Sequence, residues 1–304
     1  MIKKTAIILV NWNSFYHTNN CIQSIKESNA EDYDIILVDN GSEDNSGLKL
    51  LDKYPDIIFI SSIENIGFTG GNNIALRFVL SKGYKYSLLL NNDTFVSKNF
   101  LEPLVTLLEN NSNIAAAQPK IFFNSRKNIL WNGGSIYNSA LGMTYSKRYL
   151  RLEGEQQKRI HSVDWITGCA FFINNSILKE TGLLAENMFM YFEDVDLSMR
   201  IRQKGYLLYF HPDSIIYHVA GAANTNKEKN EEGYSNPQVY YINFRNRIWF
   251  LKKYTPFYFI PTALIYNFFY FLFFLFYFLG KKRTKKINAV LNGIKDGIKG
   301  RIKY

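Results

Sequence analysis

An α/β fold on a mostly parallel sheet is predicted by three observations. Short apolar runs alternate with helical stretches through the first third of the chain, the pattern of βαβ units. Three of those runs end in polar corners: Asn11-Trp12-Asn13-Ser14, Asp39-Asn40-Gly41-Ser42 and Asn91-Asn92-Asp93-Thr94. Right-handed crossovers gather such corners on one edge of the sheet, and ligands of open α/β sheets bind along that edge. The third observation is charge. Residues 1–239 carry a net charge of −2 and residues 240–304 a net charge of +12, so an α/β domain over 1–239 and a basic, aromatic helical appendage over 240–304 are expected.

The elements follow in order. Thr5 to Val10 is a continuous apolar run, as in a strand buried on both faces. Cys21, Ile22 and Ile25 then recur at helical spacing. Tyr33 to Val38 reads as a second strand, Ser46 to Tyr54 as a helix and Ile57 to Ile60 as a third strand. Gly67, Gly70 and Gly71 open a helix that ends near Gly83. Their spacing is not the dinucleotide fingerprint, which disfavours a Rossmann oxidoreductase. They suit either close approach of backbone N–H groups to a phosphate or sugar, or tight helix–strand packing. Tyr86 to Leu90 is the central strand. Phe100 to Asn110 reads as a helix and Ile114 to Gln118 as a strand. Residues 120–160 show no clear period and are expected to form a loop or hairpin insert over the site.

Candidate chemistry sits at the strand ends. Asp93 closes a buried strand, where a carboxylate faces the ligand crevice and suits a hard divalent cation. A plain Asn-Asn-Asp turn is the competing reading. Asp39 can accept a hydrogen bond from a base N–H, or can be an acid in the turn before a helix. Glu193, Asp194 and Asp196 place three carboxylates within four residues at a helix start. A helix dipole alone favours acids there, yet crowding raises carboxyl pKa values and suits a general base. Arg200 is expected to pair with these acids, and His218 ends a strand. Cys169, with no His partner evident in sequence, reads as a small buried residue rather than a nucleophile. Cys21 and Cys169 alone provide neither a disulfide framework nor a zinc pattern. The polar segment from Ala220 to Asn236 is expected to close over a bound diphosphate.

Tyr240 opens a basic amphipathic helix in which Arg245 or Arg247 would meet a pyrophosphate or lipid headgroups. From Tyr254 to Gly280 no residue is charged, and the run is long enough to cross a bilayer. Lysines and arginines flank it on both sides, which conflicts with a simple span. Monotopic or peripheral attachment is therefore favoured over a single transmembrane segment. A nucleic-acid-binding role is disfavoured, because the aromatics form one uncharged block instead of alternating with the basic residues.

Taken in this order, Val10-Asn11-Trp12-Asn13, Val38-Asp39-Asn40-Gly41-Ser42, Asn65-Ile66-Gly67-Phe68 with Gly70-Gly71-Asn72-Asn73, and Leu90-Asn91-Asn92-Asp93-Thr94 resemble family 2 glycosyltransferases. The resemblance is to the rhamnosyltransferase-like branch of bacterial surface polysaccharide synthesis, and it covers residues 5–250. It implies a GT-A fold, a dTDP- or UDP-sugar donor and a divalent metal, Mg2+ or Mn2+. It implies donor contacts at Asn11, Asp39, Asn40, Gly41, Asn65, Gly70, Asn73 and Asn92. Trp165, Gly168, Cys169 and Glu193 would line the sugar and acceptor pocket, Asp93 and His218 would hold the metal, and Asp194 would be the catalytic base. Asn91 departs from the family's Asp-x-Asp pattern, which leaves Asp93 as the one carboxylate assigned to the metal. The Gln-x-x-Arg-Trp box of processive synthases is absent, which favours single-sugar addition. The expected function is inverting, metal-dependent transfer of one sugar, with rhamnose the sugar suggested, to a lipid-linked saccharide at the cytoplasmic face of the cell membrane. The alternative is a membrane-bound nucleotide-sugar binding protein without catalysis, against which the presence of both Asp93 and Asp194 argues.

Overall fold

The structure is a computed structural model that describes residues 3–220, 225–230 and 233–300. The first elements are β1 (Thr5–Asn11), α1 (Phe15–Lys26), β2 (Tyr33–Asn40), α2 (Ser46–Lys53), β3 (Ile58–Ser62), α3 (Gly67–Lys82) and β4 (Tyr86–Leu90). Next come β5 (Thr94–Val96), α4 (Glu102–Asn110), β6 (Ile114–Phe123), β7 (Arg126–Asn132), β8 (Ser135–Asn138), β9 (Met143–Ser146), β10 (Arg151–Leu152) and β11 (His161–Ser162). The chain continues through β12 (Ala170–Asn174), α5 (Asn175–Thr181), α6 (Glu193–Gln203), β13 (Leu207–His218), β14 (Thr225–Asn230) and β15 (Gly233–Ser235). It ends with α7 (Pro237–Tyr254), α8 (Ile260–Gly280) and α9 (Thr284–Lys299).

The main sheet runs β10-β7-β6-β12-β4-β1-β2-β3. Its β4-β1-β2-β3 part is parallel, as the alternation of strands and helices predicts. Beyond β4 the sheet continues through β12, which is antiparallel to both β4 and β6. Alternate residues of the parallel strands enter two separate apolar layers. Ile7, Leu9, Leu37, Leu88 and Leu90 pack on one face, and Ala6, Ile8, Ile36, Val38 and Leu89 on the other. Burial on both faces explains why these strands read as unbroken apolar runs.

Register places the site. Asn11 pairs with Asp39 at the ends of β1 and β2, and Asn40 pairs with Ser62 at the ends of β2 and β3. Three polar corners therefore sit side by side. β5 turns back after β4 and pairs with β13, so that His218 lies opposite Thr94.

Residues 120–160, expected as a loop or hairpin insert, form hairpins: β6 continues to Phe123 and pairs antiparallel with β7, β8 pairs with β9, and β7 and β10 extend the main sheet. The exposed edge residues Arg126, Lys127 and Asn128 and the short strands blur any period there. The segment from Ala220 to Asn236, expected as a closing loop, falls partly outside the described residues. Its described backbone pairs β14 with β15 as a hairpin.

The chain divides into two compact units. One comprises residues 1–136, 146–186 and 193–220, and the other residues 137–145, 187–192 and 221–304. The division differs from a single cut at 239/240 because two short segments bond to the C-terminal helices. Thr262 Oγ1 donates to Ala140 O (2.6 Å), and Asn246 Nδ2 donates to Met188 O (2.8 Å). Pro261 stands in the first turn of α8, where its missing N–H leaves no bond unmade. Helix α9 lies within the helical appendage expected over 240–304, its apolar positions sparse among lysines and glycines.

Candidate active site

The first corner is built around a carboxylate. Asp39 Oδ1 accepts from Asn11 Nδ2 (2.9 Å) and Ser42 Oγ (2.6 Å). Its Oδ2 meets only the Ser42 backbone N–H, at 3.4 Å, and Asp39 keeps part of its surface exposed. One carboxylate oxygen is thus held and the other is available. Asn11 itself is fully buried. Its Nδ2 also reaches Ser46 Oγ (2.8 Å), and its Oδ1 accepts from Thr18 Oγ1 (2.8 Å). Its side chain bonds Asp39, Ser42, Ser46 and Thr18, so Asn11 holds together the corner at which donor contact is expected.

Asn40 and Asn73 are likewise internal. Asn40 Nδ2 donates to Asn65 Oδ1 and to Gly67 O, each at 3.1 Å, and Asn40 Oδ1 accepts from Ile66 N (3.2 Å). Asn73 both donates to Leu184 O (2.9 Å) and accepts from Leu184 N (3.1 Å). Each closes a backbone corner, because a carboxamide offers both a donor and an acceptor to the main chain. Gly70 is buried within α3 against Ile66. Asn40, Asn73 and Gly70 thus shape this corner through main-chain hydrogen bonds and close packing. Gly41 has φ 71°, and a Cβ there would lie 2.5 Å from the Glu64 backbone carbon, so only glycine makes this turn. Asn65 and Asn92 keep partial exposure, and Asn92 Nδ2 donates to Thr18 Oγ1 (2.8 Å).

At the second corner the antiparallel pairing of β5 with β13 brings His218 Nε2 to 3.0 Å from Asp93 Oδ1. Both side chains are buried. Burial alone would raise the Asp93 pKa, but the His218 hydrogen bond and charge hold it below the usual carboxylate range. Burial alone would lower His218, but the Cys169 sulfur and the Asp93 carboxylate lift its pKa to about 10. Two atoms that each ligate one cation at about 2.1 Å, at right angles, stand about 3.0 Å apart. The observed spacing fits that geometry. Among the described residues no group of three or more His, Cys, Asp or Glu side chains is arranged to hold a metal. The protein thus offers a pair of ligands here, which suits an ion that keeps water and phosphate oxygens in its other positions. Asn91 Nδ2 lies 3.5 Å from His218 Nε2, beside the pair.

The third feature is the corner Thr167-Gly168-Cys169, just before β12. Gly168 N donates to Asp194 Oδ2 (2.7 Å), while Cys169 O accepts from Asn91 N (2.9 Å). Asp194 also receives the Val195 N–H at Oδ1 (2.7 Å). Burial pushes the Asp194 carboxyl up to about 6, against the lowering effect of these N–H groups. Glu193 is more deeply buried, and burial together with the Asp194 charge raises it well above the ordinary range. Its Oε2 has no hydrogen-bond partner among the described residues. Neighbouring carboxyls this close titrate as a pair and take different roles: both are raised, Glu193 by burial and by the Asp194 charge. Asp196 pairs with Arg200 (2.8 Å), which also donates to Gly182 O and Leu183 O, so Arg200 is occupied as expected.

Cys169 does have a histidine neighbour, His218, which sequence order conceals. Burial nevertheless raises its thiol pKa, so it remains a packed thiol. Trp165 is buried, with Nε1 donating to Ile136 O (3.1 Å). Arg245 is fully buried, its NH2 donating to Met188 O (3.2 Å), and Arg247 donates to Asn267 Oδ1 (2.7 Å). Neither guanidinium is displayed on a surface for headgroups, which corrects that reading.

Several contributors were missed. Thr18 links the Asp39 corner to the Asp93 corner through Asn11 and Asn92. Its signal was available, since it is a polar residue on the buried face of α1 shared with Cys21, Ile22 and Ile25. Gly47 admits Asp39: a Cβ there would lie 2.3 Å from Asp39 Cγ. Trp131 sets its ring edge-on to His218, with centroids 4.5 Å apart, and nothing in the sequence pointed to it.

Residues 6–182 match the family described as Glycosyl transferase family 2. A hexosyltransferase of low-salt glycan biosynthesis, Agl10 of Haloferax volcanii, is 29% identical over 210 residues, covering 67% of this chain and 63% of that protein. The dTDP-rhamnosyl transferase RfbF of Shigella flexneri is 23% identical over 218 residues, covering 70% of this chain and 68% of that protein. Among solved structures, GalNAc-T7 with UDP, GalNAc and Mn2+ superposes with a TM-score of 0.60 at 18% identity, over 71% of this chain and 43% of that one. S. aureus TarS superposes with a TM-score of 0.52 at 13% identity, over 81% of this chain and 39% of that one. These likenesses establish the GT-A type of fold.

Proposed function

From the premise that the chain belongs to glycosyl transferase family 2, we propose that it is an inverting, metal-dependent glycosyltransferase. It moves one sugar from a nucleoside diphosphate donor to a lipid-linked saccharide at the cytoplasmic face of a membrane. The supporting observation is the Thr167–Cys169 corner, whose adjacent residues bond Asp194 on one side and the Asn91–Asp93 segment on the other.

In this reading Asp39 receives a base N–H at its available oxygen, as a uracil or thymine ring offers. Asp93 and His218 would hold Mg2+ or Mn2+, which when bound neutralises charge on the diphosphate leaving group. Asp194 takes the proton from the acceptor hydroxyl while that oxygen attacks the anomeric carbon. The bond from the anomeric carbon to the diphosphate oxygen breaks with its electron pair, and the sugar inverts. Glu193, its carboxyl raised by burial beside Asp194, hydrogen-bonds the incoming acceptor. The name of the relative RfbF, a dTDP-rhamnosyl transferase, makes dTDP-rhamnose the first donor to test.

The test is Asp194→Asn. Transfer should fall by about 10³-fold or more, in line with the loss of a general base combined with substrate positioning. Donor affinity measured by calorimetry should stay within about two-fold, a difference below 0.5 kcal/mol. Undiminished transfer would refute the assignment. Donor binding with no transfer in the unaltered protein, across sugars and acceptors, would favour a binding protein without catalysis.

A further inference from the structure

We infer that α8 lies in the plane of a membrane, its outer face in the lipid and both of its ends on the same side, and that it does not span. The inference rests on the membrane reading above and specifies its mode. At 21 residues α8 is roughly 31 Å long, enough to cross a bilayer. Length therefore does not decide the matter; the neighbours of the helix do.

Helix α8 runs antiparallel along α7. Asn267 meets Arg247, Phe271 meets Phe244, and Phe278 meets Tyr240. Helix α9 then returns parallel to α7. Lys286 Nζ lies over the Tyr240 ring at 4.9 Å, and Lys252 Nζ donates to Gly297 O (3.3 Å) at the other end. The α7–α9 approach is too close for side chains, since a Cβ on Gly293 would lie 2.5 Å from Tyr241 O. The three helices are thus one layer, side by side along their shared length.

That layer cannot cross a bilayer as a unit. Exposed Lys285, Asn288, Asn292, Lys295 and Lys299 form a polar stripe along the whole of α9. A transmembrane α8 would drag this stripe through the hydrocarbon core, where lysines are rare and strongly disfavoured. The outer face of α8 is the opposite in character, with Leu264, Ile265, Phe268, Phe269, Phe273 and Phe276 all exposed. Lys281 and Lys282 at one end, and Lys252 at the other, are exposed cations at the level where anionic headgroups would meet them. An in-plane helix satisfies both ends at one leaflet; a span would separate them.

The experiment uses the full chain with sealed vesicles of phosphatidylcholine, with and without phosphatidylglycerol. Single cysteines at Ile260→Cys and Lys282→Cys are probed with an impermeant maleimide, Cys21 and Cys169 being buried. Flotation with the anionic vesicles and full labelling of both sites from outside are expected. Nitroxide lipids should quench a probe at Phe269→Cys but not one at Asn292→Cys. Labelling of Lys282→Cys only after the vesicles are opened would overturn the in-plane inference while leaving membrane association standing. Failure to float would overturn both, and donor binding measured on the same sample would show whether the enzyme reading survives. Phe269→Asp with Phe273→Asp should abolish flotation without altering donor affinity.

Discussion

The backbone N–H of Gly168 lies 2.7 Å from Asp194 Oδ2. The carbonyl of the next residue, Cys169, accepts the Asn91 N–H at 2.9 Å. Two successive residues thus tie the start of α6 to the end of β4. One backbone corner thus bonds the carboxylate of the proposed base and the strand end that carries Asp93. Placement of this kind is what converts a weak carboxylate base into an effective one.

The pH dependence of turnover follows from Asp194. Its carboxyl titrates near 6. The ionised form is the base, so kcat should rise with pH through about 6 and level off above it. Asp194→Glu moves the carboxylate off the Gly168 N–H, so kcat should fall and the midpoint should shift. A kcat that is flat from about pH 5 to 8, with chemistry shown to be rate-limiting, would remove Asp194 from the role.

Metal binding should release a proton. His218 is lifted to about 10 by its surroundings, so it is protonated at pH 7 and must lose that proton to ligate. Mn2+ affinity should therefore increase about ten-fold per pH unit near neutrality. Calorimetry in buffers of different ionisation heat should count about one proton released per ion. In His218→Ala the release should vanish and affinity should drop. Unchanged proton release in that variant would mean that the ion binds elsewhere.

Much of this architecture was legible in the sequence, and the reasons are physical. The parallel strands bury both faces, so Thr5 to Val10 and Tyr86 to Leu90 are unbroken apolar runs and easy to find. The carboxylates at strand ends were equally visible. What could not be read was direction. Asn11, Asn40 and Asn73 stand in the right corners but turn inward to bond main chain and neighbouring side chains. Register is also invisible before pairing is known, which hid the approach of His218 to Cys169 and of Trp131 to His218. Residues 120–160 could be read no further than a loop or hairpin insert, because edge strands carry solvent-facing residues and short periods.

Asn246 should matter for stability out of proportion to its size. Its Nδ2 donates to the carbonyls of Met188 (2.8 Å), Met190 (2.9 Å) and Tyr191 (2.8 Å). The same segment holds Phe189, Tyr191 and Phe192 at φ 62°, 66° and 69°, a left-handed conformation that bulky residues avoid. Replacing Asn246 with Leu removes two N–H donors shared among these carbonyls, at a cost of about 2 kcal/mol or more. Urea unfolding should show the loss as a lower midpoint with an unchanged slope. Because Phe192 leads directly into Glu193 and Asp194, kcat should fall at urea-free conditions with donor KM little changed. A midpoint within about 0.5 kcal/mol of the unaltered protein would show that the clamp carries no weight.

Gly47→Ala tests the Asp39 corner without removing any of its polar groups. The added methyl would lie 2.3 Å from Asp39 Cγ, closer than any real contact, so the carboxylate must turn away or α2 must shift. Either response breaks the geometry set by Asn11 and Ser42. If Asp39 reads the base of the donor, nucleoside diphosphate affinity should fall by about ten-fold or more, matching a lost charge-assisted hydrogen bond. Asp39→Ala should give a loss of similar size, and the double variant should be no worse than the poorer single one. Mn2+ binding at Asp93 and His218 should be unaffected in all three, which controls for misfolding. If Gly47→Ala bound donor normally while Asp39→Ala did not, the carboxylate would have to act from another rotamer. If neither bound donor less tightly, the base would be read by a different group.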